Sequence, residues 1–155
     1  MKKIYETTLT NHQGTRGQVD ADNGFSVLLS PVLEADKHHT NPEQLIGSAW
    51  ATCLNATIRS ILKAKNLTNH SIVKVHVQLW FEEKTRFHFS LDASAMIEGL
   101  PLEEAEKIVE TAHRFCPVSK LIGDKPTVTL KTVPYEVWVK NLGFCPRFSF
   151  LMFNT

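Results

Sequence analysis

The sequence lacks most of the features that decide a protein's class at a glance. Charge of neither sign dominates: 17 Lys and Arg stand against 16 Asp and Glu, a formal net charge of +1. No basic block marks a face for polyanions, so neither nucleic acid nor an anionic membrane is an expected partner. No apolar run follows the two lysines of MKKIYETTLT. The N-terminus therefore reads as a first strand rather than a signal peptide, and the cytoplasm is the expected address. Cysteine is scarce, with only Cys53, Cys116 and Cys145. Three so widely spaced are too few for a secreted disulfide framework, and no CxxC pair suggests a zinc ribbon. There is no internal repeat and no low-complexity segment. What remains is a 155-residue chain with 43% hydrophobic residues, about one domain's worth and enough to bury a real core.

Periodicity divides that chain. KIYETTLT and TRGQVDA alternate over short stretches, and FSVLLSP, set off by Asp22-Asn23-Gly24, reads as a strand entered through a tight turn. HSIVKVHVQLWFEE (70 to 83) and TRFHFSLDASAMI (85 to 97) alternate with period two and lie almost end to end, which predicts an antiparallel hairpin. In PLEEAEKIVETAHRFC (101 to 116) the period changes. Leu102, Ala105, Ile108, Val109, Ala112 and Phe115 recur at threes and fours behind Pro101 and three acids, the pattern of a helix with one buried face. TVTLKTVPYEVWVK (127 to 140) returns to strand. Strands, helix, hairpin, helix and strand make an α+β domain over residues 1–140.

A second helix, from about Asn41 to Lys65, has a different character. Asn41 or Thr40 can cap it, Pro42 suits its first turn, and Glu43 sits where the dipole favours an acid. Apolar residues continue almost all the way round it, which predicts a long central helix surrounded by protein. Cys53 lies in its middle. By itself such a cysteine reads as a small core residue, inert because burial raises its pKa. Cys116 is placed differently. It directly precedes Pro117, where one helix must stop and a short one can begin, so it lies beside N–H groups that favour a thiolate.

TNPEQLIGSAWATCLNA and AHRFCPVSK, with GTRGQV upstream, resemble the three signature segments of the organic hydroperoxide resistance and osmotically inducible protein C (OsmC/Ohr) family of thiol peroxidases. The resemblance runs from about residue 3 to residue 133. PEQL and the SP of LLSP are similar to the hydroperoxide-resistance branch, and CPVSK to the osmotically inducible branch. The resemblance implies antiparallel sheets wrapped around the central helix in an intertwined homodimer. It also implies that Cys53 attacks the peroxide and Cys116 resolves it as a disulfide. Arg16 activates the thiolate, Glu43 orients Arg16, and an external dithiol of the lipoyl type restores both cysteines. No cofactor and no metal are implied.

Elementary chemistry makes demands on such a site. A thiol of pKa about 8.5 is only about 3% thiolate at pH 7, and lowering the pKa to about 6 raises that fraction roughly thirtyfold. In mid-helix the dipole offers Cys53 little, so a cation must be brought to it. Ten residues of helix also put Glu43 about 15 Å along the axis from Cys53 and about 80° around it. A Glu43 that shares an arginine with Cys53 is therefore expected from a second chain.

Several residues admit two readings. Trp50, Leu54 and Phe115 neighbour the cysteines and form either an apolar pocket suited to organic or lipid hydroperoxides or plain core. Arg16 is either the activator or a solvated turn residue. His38, His39 and His113 raise a zinc site, which their spacing supports weakly. The alternative function is a binding or redox-sensing module without turnover. NLGFCPRFSFLMFNT (141 to 155), with Cys145, matches no part of the family pattern and reads as a C-terminal extension.

Overall fold

A computed structural model describes residues 1–34 and 36–135. The extension at 141–155, with Cys145, and the end of the last expected strand lie outside the described residues.

The chain begins with a small antiparallel sheet of β1 (Leu9–His12), β2 (Gln18–Ala21) and β3 (Ser26–Leu28). The expected strand at KIYETTLT is realised only from Leu9 onward, and the start of TRGQVDA is taken up by a single 3-10 turn, Gly14–Arg16. That turn is entered through left-handed backbone at Gln13 and Gly14. The Asp22-Asn23-Gly24 turn between β2 and β3 forms as its sequence requires, with Gly24 at positive φ. This sheet touches the rest of the described chain sparingly, mainly where Leu29 bridges Thr40.

Helix α1 (Pro42–Ala64) follows, and Asn41 caps it by accepting a hydrogen bond from the Gln44 amide at 2.8 Å. β4 (Ser71–Glu82) and β5 (Arg86–Ile97) form the expected hairpin, paired from Ser71–Ile97 to Glu82–Arg86. Helices α2 (Leu102–Phe115) and α3 (Pro117–Ile122) then cross over to β6 (Val128–Thr132). Because both helices fill the connection, β6 arrives parallel to β5. The sheets are thus not all antiparallel, and the strand expected to run to residue 140 is described only as far as Thr132.

The core forms where α1 meets β5, α2 and α3. Gly47, Trp50, Leu54, Ile58 and Leu62 of α1 lie at threes and fours on one stripe. They face Leu91, Ala93, Ala95 and Ile97 of β5 and Ala105, Ile108, Val109 and Ala112 of α2. Close approach to β4 requires glycine at position 47, since a Cβ there would stand 2.8 Å from a Val77 methyl. The opposite side of α1, with Leu45, Ala49, Thr52 and Ala56, remains exposed. Among the described residues of one chain the helix is therefore covered on one side.

Ile58 carries no exposed surface at the centre of this stripe. Ile58→Ala should cost about 2–4 kcal/mol of stability. Urea unfolding followed by tryptophan fluorescence measures it, and an unshifted midpoint would contradict this description of the core.

Candidate active site

Cys53 and Cys116 are 63 residues apart in sequence and meet at the junction of three helices. Cys53 lies on α1, partly buried beside the apolar stripe. Cys116 has no exposed surface and occupies the break between α2 and α3. Pro117 has no N–H to continue α2 but suits the first position of a new helix. The chain turns there, and Cys116 caps α3 with its own sulfur, which accepts a hydrogen bond from the Ser119 amide at 3.4 Å. The break expected before Pro117 is thus present, with the cysteine as the cap itself.

The two sulfurs are close enough to act on each other, and the Val118 backbone N–H acts on both. Burial pushes the Cys53 thiol up, and the neighbouring Cys116 sulfur, to which it donates, pushes it further; the Val118 amide only partly offsets this. Cys116 also suffers from burial, but hydrogen bonds from the Ser119 hydroxyl and amide, from Cys53 and from Val118 outweigh it and bring that thiol down. Within one chain Cys116 is therefore the better thiolate, as its place at the start of α3 favours, while the activation of Cys53 that the family resemblance implies has no source among the described residues. No guanidinium is among the groups that act on Cys53.

Arg16 and Glu43 stand elsewhere. Arg16 ends the 3-10 turn between β1 and β2, exposed, and its guanidinium grips both carboxylate oxygens of Glu34. Those bonds raise its pKa, and they hold the Glu34 carboxyl below its usual range. Glu43 lies in the first turn of α1, so it belongs to the helix proper and cannot fold back as a loop. Its Oε2 is buried without a hydrogen-bond partner among the described residues. Unmet burial of this kind is costly and points to a donor outside the described residues. Glu43 also lines a groove of about 730 Å³ between α1 and β4, whose walls include Gly47, Ala51, Val75, Val77 and Leu79.

The three apolar neighbours separate. Trp50 and Leu54 have no exposed surface and form part of the core beneath the cysteines, whereas Phe115 is 62% exposed on the surface beside Cys116. Trp50 does more than fill space, since its indole N–H donates to the Ser119 hydroxyl at 2.9 Å. Sequence reasoning missed Ser119 and the Val118 amide. The available signal was the CPVS segment itself, in which the third residue after a capping side chain is the usual donor to it. His39 bonds through Nδ1 to Asp36, while His113 lies against Gly123. Among the described residues no three His, Cys, Asp or Glu side chains converge as metal ligands. No described helix is long and apolar enough to cross a membrane.

A partly buried and a fully buried thiol brought this close are placed for an S–S bond of about 2.0 Å to form between them. Residues 35–131 match the family model described as OsmC-like protein. An organic hydroperoxide resistance protein-like sequence from Staphylococcus aureus (strain USA300) is 36% identical over 121 residues, covering 75% of this chain and 86% of that one. An organic hydroperoxide resistance protein from Legionella pneumophila superposes with a TM-score of 0.74 at 29% identity, over 86% of this chain and 98% of that one. One from Bacillus subtilis superposes with a TM-score of 0.70 at 26% identity, over 84% and 98% respectively. The chain belongs to the OsmC-like family.

Proposed function

We propose that this protein is a cysteine-based thiol peroxidase that reduces organic, lipid-type hydroperoxides to alcohols and so protects against oxidative stress. The observation that carries this reading is the contact between Cys53 and Cys116 at the α1–α3 junction, with the α3 amides aimed at their sulfurs. In the proposed cycle the Cys53 thiolate attacks the terminal peroxide oxygen. The O–O bond breaks, the alcohol leaves with a proton, and Cys53 is left as a sulfenic acid. Cys116 then attacks that sulfur, expels water and forms the 53–116 disulfide. An external dithiol, of the lipoyl type by family resemblance, returns both residues to thiols. Free thiols at every turnover suit a reducing compartment, and we place the protein in the cytoplasm.

The described residues of one chain do not supply the charge this cycle needs at Cys53, and we infer that a second copy does. Cys53 is raised rather than lowered within its own chain, Glu43 keeps an unpartnered buried oxygen, and Arg16 stands on an exposed turn. Each site would then be completed across a homodimer, with Arg16 leaving Glu34 for Glu43 and Cys53 and not all three groups coming from one chain. The exposed apolar residues Leu28, Leu33, Leu45, Trp80 and Phe87 give a partner much to cover. Phe115, on the surface beside Cys116, is the neighbour placed to meet an apolar substrate tail, and Trp50 and Leu54 support the site from below.

Purified protein should turn over cumene or fatty-acid hydroperoxide repeatedly with a dithiol, whereas a single stoichiometric oxidation would instead support a redox sensor. Cys53→Ser should abolish consumption. Cys116→Ser should permit one round and then over-oxidation of Cys53 to sulfinic acid.

Arg16→Ala should move the alkylation profile of Cys53 upward, with the rate at pH 7 falling toward that of a thiol only about 3% ionised. An unchanged profile would remove Arg16 from the mechanism. Co-expression of Cys53→Ser with Arg16→Ala chains tests the shared site directly. Mixed dimers should recover about a quarter of wild-type turnover if Arg16 acts across the interface, because half the dimers then hold one complete site. No recovery would place Arg16 and Cys53 in the same chain.

A further inference from the structure

The indole of Trp50 and the hydroxyl of Ser119 are both buried, at 0% and 2% exposure, and 69 residues separate them. A serine in such a place needs partners for its proton and its lone pairs. The indole N–H, which can only donate, takes one lone pair at 2.9 Å. The hydroxyl proton is left to donate, and the Cys116 sulfur, which the Ser119 amide reaches at 3.4 Å and on which the Ser119 side chain acts favourably, is the acceptor at hand. A hydrogen bond accepted by a hydroxyl polarises the one it donates. The whole chain lies in the low-dielectric core at the α1–α3 junction, where such bonds are strong.

This asymmetry matters most when the disulfide is opened. Resting on the peroxidase reading above, we propose that Trp50 and Ser119 are positioning residues that make Cys116 the leaving sulfur and so direct the reducing dithiol to Cys53. In that step one thiolate of the dithiol attacks Cys53 Sγ. The S–S bond breaks, its electron pair passes to Cys116 Sγ, and a mixed disulfide joins the dithiol to Cys53. The Cys116 thiolate is received by the Ser119 hydroxyl and amide and by the Val118 amide. The second thiolate of the dithiol then attacks its own half of the mixed disulfide and releases Cys53. The oxidised dithiol departs as a cyclic disulfide, and its two protons end on the two cysteines. Exposure favours the same direction, since Cys53 retains some surface and Cys116 has none. In thiol–disulfide exchange the thiol of lower pKa leaves faster.

The alternative for Trp50 and Ser119 is a purely structural bond that satisfies a buried indole. That role would affect stability but not the ionisation of Cys116. Thiolate absorbance near 240 nm should therefore be titrated in a Cys53→Ser, Cys145→Ser background, where Cys116 is the only thiol. Ser119→Ala should raise the Cys116 pKa by about 0.5–1, and Trp50→Phe, which keeps most of the ring volume, should raise it by less. In chains that keep Cys53, Ser119→Ala should slow reduction of the isolated disulfide form by dihydrolipoamide roughly three- to tenfold, without slowing the first oxidation by hydroperoxide. An unchanged Cys116 titration in both variants would overturn the proposal and leave the peroxidase reading intact. Failure of the parent protein to turn over hydroperoxide would overturn that reading, while the titration would still report whether the relay acts on Cys116.

Discussion

Everything chemical in this molecule depends on the break between α2 and α3. Pro117 ends one helix, opens the next, and leaves the first amides of α3 without partners inside the helix. The Ser119 amide among them donates to the Cys116 sulfur, which the break itself delivers beside the Cys53 sulfur from the middle of α1. The apolar stripe of α1 holds that meeting in place, since Trp50 and Leu54 flank Cys53 in sequence and are wholly buried against the same core. Packing energy, distributed over the Ile58 and Leu62 layers below, fixes the geometry that the thiols need.

The electrostatics of the isolated chain are incomplete in an informative way. A peroxide-attacking thiol has to ionise near neutral pH, yet burial opposes ionisation of Cys53, and among the described residues the one group that favours its thiolate is the Val118 backbone N–H, which favours Cys116 as well. A buried carboxylate oxygen on Glu43 lacks a donor, while the Arg16 guanidinium sits on Glu34 in the open. An exposed ion pair of this kind is worth little and is readily exchanged. The unmet acceptor, the raised thiol and the half-covered helix are the three features that the proposed second copy, bringing a cation and an apolar face, would answer together. Family membership explains why the remedy is worth testing, but the need for it arises in the chain's own side chains.

Much of the fold was legible in the sequence. The start of α1 was written in Asn41 and Pro42, the hairpin in the period-two runs, and the helix break in the Cys116-Pro117 pair. The errors share a cause. Alternation tells which face of β6 is buried but not that its neighbour runs parallel, which follows from the helical crossover. Composition makes α1 apolar on nearly every side, but only the neighbouring elements decide which side is covered. At the site, the two cysteines could be named from their motifs. The Glu34 partner of Arg16 and the Trp50–Ser119 bond join residues 18 and 69 positions apart, and no local pattern encodes them.

The account rests on Cys53 and Cys116 becoming one disulfide as the direct product of peroxide attack. Protein treated with a single equivalent of an organic hydroperoxide, alkylated, digested and analysed by mass spectrometry should yield the peptide pair linked through residues 53 and 116 in nearly stoichiometric amount. Both cysteines recovered as free alkylated thiols, or the linkage formed through Cys145 instead, would contradict it.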